Sequence, residues 1–118
     1  MIEDKFNTKV GETITVFRTD DVGLIFAFVV KKGSTTVNKE PETRPDPPSG
    51  FKIKQYYEIR TEALYSGKIK IIIFCDSATK LWQFNERARK WKNITKNFNP
   101  TYHLIIGETD HLSMFGVT

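Results

Sequence analysis

Along the chain, apolar and polar residues alternate in short bursts separated by turn residues, and the dominant period is two. Thr13-Ile14-Thr15-Val16-Phe17 is β-branched and alternating, which predicts a half-buried strand. Asp20-Asp21-Val22-Gly23 predicts a turn. Leu24 to Val30 is short and continuously apolar, the pattern of a strand covered on both faces. Met1–Gly11 shows no clear periodicity and reads as a loose lead-in.

Lys31 to Gly50 changes character. Four of the five prolines lie in Pro41-Glu42-Thr43-Arg44-Pro45-Asp46-Pro47-Pro48-Ser49-Gly50. Proline removes backbone donors, so residues 38–50 are expected to form a crossover loop between layers of one domain. Thr35-Thr36-Val37 supplies a short strand just before it. From Phe51 to Tyr65 the odd positions are mostly apolar and the even ones mostly charged, the signature of an antiparallel sheet with one face in water. Ser66-Gly67 predicts a turn, and Lys68 to Cys75 a returning strand with Ile69, Ile71 and Ile73 on one face, making a hairpin.

Residues 79–92 fit two patterns. Leu81, Phe84, Ala88 and Trp91 suit one face of a helix; Leu81-Trp82-Gln83-Phe84 equally suits a strand, with Asn85 to Lys90 as a hairpin loop. Tyr102 to Ile106 and Leu112 to Val117 predict two more strands joined by Gly107-Glu108-Thr109-Asp110. Seven or eight short strands between turn clusters indicate an all-β antiparallel sandwich in one domain, residues 1–118.

Five segments carry a family resemblance: Pro48-Ser49-Gly50-Phe51, Tyr56 to Gly67, Leu81 to Phe84, Trp91-Lys92-Asn93-Ile94-Thr95 and His111 to Val117. In this order, over roughly residues 13–117, the chain resembles a small β-sandwich module found near the C-termini of large exported bacterial and archaeal surface proteins. The resemblance implies an Ig-like fold, a strand at Leu81–Phe84, a core tryptophan at Trp91 and a turn at Asn93-Ile94-Thr95. It transfers no catalytic residue. The Lys/Arg-rich 86–96 stretch departs from that pattern.

Composition narrows the classes further. The chain has 118 residues, 39% hydrophobic and 27% charged, one domain's worth of a globular protein and too short for a two-lobed enzyme. Residues 1–50 carry seven basic and eight acidic side chains, whereas residues 51–118 carry eleven and six. A single cysteine, Cys75, precludes an intrachain disulfide and is expected in the core. The first ten residues do not form a signal peptide, and the longest apolar run, Val22 to Val30, is too short to span a bilayer as a helix.

Catalytic motifs are lacking: there is no Gly-x-Ser-x-Gly, phosphate-cradling glycine loop or His-Glu-x-x-His. An enzyme is therefore not expected, nor a cofactor or metal. His103 and His111 with Glu108 and Asp110 would form a metal group only if a hairpin closed them together; the plainer reading is a polar turn. Trp82, Trp91, Tyr56 and Tyr57 would form a sugar-stacking platform if exposed together, although aromatics more often fill cores. Arg87, Arg89, Lys90, Lys92 and Lys96, with Tyr56 or Trp82, are the candidate binding residues for a polyanion or glycan. The leading expectation is a non-catalytic structural or interaction module of a larger exported cell-surface protein. Its partners would be neighbouring domains or another surface protein, without nucleic acid or membrane insertion.

Overall fold

The computed structural model of the chain describes residues 3–17 and 21–118. They form an antiparallel β-sandwich of eleven strands in two sheets, with no helix among the described residues. The strands are β1 (Glu3–Thr8), β2 (Gly11–Phe17), β3 (Val22–Lys31), β4 (Gly33–Asn38), β5 (Gln55–Thr61), β6 (Leu64–Phe74), β7 (Leu81–Asn85), β8 (Lys90–Asn93), β9 (Thr95–Asn99), β10 (Leu104–Thr109) and β11 (Met114–Val117). One sheet has the order β1-β4-β5-β11-β7-β8 and the other β2-β3-β6-β10-β9.

Alternation decides what each strand buries. In β6, Ile69, Ile71 and Ile73 are fully buried while Lys68, Lys70 and Phe74 face outward. Facing them, Tyr57 and Ile59 of β5, Leu81 of β7 and Phe115 of β11 fill the interior with Leu24 and Phe26 of β3. Burying a side chain of this size contributes about 1.5–3 kcal/mol, so this interlayer core is the main source of stability. Cys75 is half-buried at its rim, packed against it just beyond β6.

The chain moves between sheets at short corners more often than it turns within one. The loose lead-in expected at the N-terminus is instead an edge strand, β1, antiparallel to β4; Met1 and Ile2 lie outside the described residues. Of the predicted turn at 20–23, Asp20 lies outside the described residues, and Val22-Gly23 already belongs to β3. That strand is covered on both faces only in its first half, since Phe28 and Val30 are exposed.

The predicted hairpin at Ser66-Gly67 does not form. β5 and β6 belong to different sheets, and the chain switches at Glu62-Ala63. The glycine signal has another cause: Gly67 (φ +81°) and Lys68 together oppose Ala27, a β-bulge within β6. Likewise Gly107 to Thr109 continue β10 rather than turning to β11, and Asn93-Ile94-Thr95 carries the chain from β8 in one sheet to β9 in the other. At residues 79–92 the strand reading holds, as a β7–β8 hairpin.

The proline-rich loop also departs from expectation. It joins β4 and β5, which are neighbours in one sheet, so it does not cross between layers. Residues 39–54 instead lie as a strap on the outer surface of the six-stranded sheet. Ile53 sits on Gly116 of β11, where an added Cβ would come within 2.5 Å of its Cδ1.

Candidate binding surfaces

The strap explains the aromatic residues of the six-stranded sheet. Trp91 pairs with Phe84 across β7 and β8, so both project outward, away from the interlayer core. Their rings stand 5.2 Å apart, and Trp91 lies 6.2 Å from Tyr56. The indole of Trp91 donates to the Asp46 carbonyl (2.6 Å) and the Tyr56 hydroxyl to that of Pro45 (2.8 Å). Trp82 packs on Phe51 at 5.1 Å, and its indole donates to Thr118 Oγ1. Trp91 is thus half-buried beneath the strap and is not the interlayer anchor that the resemblance implied.

Nor do these rings make an open stacking platform. Tyr57 points into the core at 2% exposure, and burial drives its phenol pKa upward. Tyr56, Trp82 and Trp91 use their polar atoms on backbone or terminal groups. Burial also raises the Tyr56 phenol, with Arg44 opposing and Asp46 adding to the shift.

The basic residues of 86–96 are not gathered into one patch. Arg87 and Arg89 stand in the β7–β8 loop, Lys90 and Lys92 on the β8 edge, and Lys96 on β9 of the other sheet. Arg89, at φ +52°, places its guanidinium 5.6 Å from the Phe84 ring. There it joins Arg44 and Arg60 around a groove of about 590 Å³ floored by Phe84 and Met114. Asp46, Glu58 and Glu86 line the same groove, so its charge is mixed, and Arg60 bonds Glu58 at 3.1 Å. Arg44 and Arg60 went unnoticed in the sequence because they lie 45 and 29 positions before Arg89, and only the strap brings Arg44 to the sheet.

Lys92 belongs to a different cleft of about 310 Å³ at the open side of the sandwich, with Lys68, Glu108 and His111. Its inner wall is Gln83, buried at 6% exposure. The Gln83 amide nitrogen donates to the His111 carbonyl (2.9 Å) and Ser113 Oγ (3.1 Å), and its oxygen accepts from Thr109 Oγ1 at 2.7 Å. Since β7 and β10 lie in different sheets, this is a polar tie between layers.

His103 and His111 sit at opposite ends of β10, so the possible metal group of His103, Glu108, Asp110 and His111 does not assemble. His111 Nδ1 meets Asp110 Oδ1 at 2.7 Å, and this contact holds the exposed carboxyl below its ordinary range. Among the described residues, no group of three or more His, Cys, Asp and Glu is placed to hold a metal ion.

A surface that the sequence pattern did not single out is the outer face of the five-stranded sheet. Ile72 pairs with Ile106, and Phe74 with Leu104, across β6 and β10. All four alternate with core residues and therefore point outward, as does Ile25 on β3. Phe74 is 41% exposed. The signal was present in the unbroken runs Ile71 to Phe74 and Leu104 to Ile106, which alternation alone would have made half polar.

Comparison of the chain with protein-family models, with curated proteins and with solved structures gave no match.

Proposed function

We propose that this domain is a non-catalytic structural or interaction module of a larger exported surface protein, docking through the outer face of its five-stranded sheet. The observation that supports this is the contrast between its two outer faces. On the six-stranded sheet, the outward apolar residues lie beneath the strap. On the five-stranded sheet, Ile25, Ile72, Leu104 and Ile106 are half-buried and Phe74 is exposed, with no strap of this kind among the described residues. Contiguous apolar surface rimmed by polar residues marks interaction sites, and here Lys70 pairs with Glu108 beside it. The Ig-like identity and surface location rest on the sequence resemblance alone.

A second reading, glycan or polyanion binding, draws on Arg44, Arg60 and Arg89 around the Phe84 and Met114 floor. Arginines over an apolar floor suit acidic sugars, but the three carboxylates in the groove counter a simple polyanion. Both readings are tested by placing a photo-crosslinking phenylalanine analogue at Phe74, or at Arg89, in cells expressing the protein in its native context. Docking requires a defined product from Phe74 with another domain or protein of the surface fraction. Background labelling from Phe74, or recovery only from the cytosol, overturns it. A product confined to Arg89 favours the groove.

A further inference from the structure

We propose that the end of the sandwich where three sheet-switching corners meet is an anion site for a ligand bearing phosphate or sulfate groups. The topology forces these corners together. Thr8 pairs with Gly33, and Thr35 with Thr61. The β1–β2 corner at Lys9-Val10, the β3–β4 corner at Lys32 and the β5–β6 corner at Glu62-Ala63 are therefore neighbours. Their packing is tight: a Cβ on Gly33 would stand 2.4 Å from the Ala63 nitrogen.

Between the corners opens a cleft of about 720 Å³ lined by Lys5, Lys9, Lys32, Val10, Ser34 and Glu62. That volume lies within the range of small-ligand sites. Lys5 stands on β1 and Lys9 in the corner that follows it, and both line the cleft. Among the described residues, no carboxylate stands within ion-pair distance of Lys5, Lys9 or Lys32. The one acid in the lining, Glu62, accepts a hydrogen bond from Ser34 Oγ at 3.2 Å. Three ammonium groups against one carboxylate focus positive potential in the concavity. Each offers three donors on a flexible stem, a geometry that suits tetrahedral oxyanions. The even charge balance of residues 1–50 conceals this cluster, because only strand pairing brings Lys32 to the side of Lys5 and Lys9.

The test compares two triple variants of equal charge change. One is Lys5→Gln/Lys9→Gln/Lys32→Gln; the other is Lys90→Gln/Lys92→Gln/Lys96→Gln on the opposite edges. Binding of polyphosphate and of heparin is measured across a salt series. The corner variant should lose roughly tenfold or more in affinity, with a salt slope lower by about one for each lysine removed. The edge variant should lose far less, and Glu62→Gln should bind more tightly than the parent chain. Amide shifts on adding polyphosphate should centre on Lys9, Lys32 and Gly33, a readout that Lys32→Gln alone also carries if the triple variant folds poorly. Preference for polyphosphate assigns a phosphate ligand, and preference for heparin a sulfated one. Equal losses in the two triple variants, or weaker binding by Glu62→Gln, would overturn the proposal without touching the docking face at Phe74.

Discussion

Replacing Trp91 with alanine should free the strap while leaving the interlayer core assembled. A core tryptophan truncated to alanine costs about 3–5 kcal/mol. Trp91 is half-buried, so the packing loss is about half of that, on the order of 2 kcal/mol. Losing the indole bond to the Asp46 carbonyl adds about 1 kcal/mol. Trp91→Phe keeps a ring against Phe84 and Tyr56 and should lose only the hydrogen-bond part. Phe115→Ala, at a position with no exposure, should cost the full core amount of about 3–5 kcal/mol. Urea midpoints rank the three variants, and native-state cleavage after Glu42 by a glutamate-specific protease reads the strap itself. Glu42 lies on the exposed part of the strap. Cleavage should accelerate in both Trp91 variants under conditions where each remains folded. An unchanged cleavage rate would refute the anchoring role of Trp91, and a loss matching that of Phe115→Ala would return Trp91 to the core.

Gly33→Ala should be among the most damaging small substitutions, at the upper end of the ~1–3 kcal/mol typical of overpacking, because the new methyl meets the backbone of Glu62 and Ala63; a thermal midpoint equal to the parent's would rule the close contact out. Gln83→Leu removes three hydrogen bonds that tie β7 to Thr109 and the 110–113 corner, for a loss of about 2–3 kcal/mol in urea unfolding; an unshifted midpoint would mean that the tie is unimportant. The Tyr57 phenol has its folded pKa raised by burial from an ordinary value of 10.0, so stability is fully present below pH ~10 and is lost as pH rises above it, because the unfolded chain ionises first. Tyr56 and Tyr65, also raised, act in the same direction. Tyr57→Phe should therefore flatten the alkaline fall in stability, and an identical slope between pH 9 and 11 would show that another group controls it.

The alternation within β5 and β6 was legible because burial on one face imposes period two wherever a strand sits. Tyr57, Ile59, Ile69, Ile71 and Ile73 face inward as their spacing predicts. Connectivity was not legible, because a glycine serves a turn, a bulge or a close approach with the same letter. Gly67 marks a bulge rather than a hairpin, and Gly33 marks a crowded corner. Four of the sheet-switching corners need only one or two residues, among them Lys32 between β3 and β4 and Ile94 between β8 and β9, too few to leave a compositional trace. Sites suffered most. Arg89 meets Arg44 only through the strap, and Lys5, Lys9 and Lys32 meet only through strand pairing, so a contiguous basic run drew attention to charges that folding disperses.

What the 86–96 stretch does follows from where its charges stand. β8 is an edge strand of the six-stranded sheet and β9 an edge of the five-stranded one. An edge presents unpaired backbone donors and acceptors to any passing strand, and lysines on it oppose such pairing. Lys90 and Lys92 occupy one edge, Lys96 the other, and Arg87 and Arg89 extend the charge around the β7–β8 loop. Strand addition at this side would bring like charges from two copies together. Apolar residues on the five-stranded face carry no such obstacle: Ile72, Ile106, Phe74 and Leu104 form two adjacent cross-strand pairs. On the proposed reading, association of this domain is directed to that face and away from its basic edges. On that reasoning, Lys90→Thr/Lys92→Thr should promote concentration-dependent oligomers in sedimentation velocity at moderate salt, whereas Phe74→Lys should not. Oligomers from Phe74→Lys alone, or none from the edge variant, would remove the gatekeeping role from these lysines.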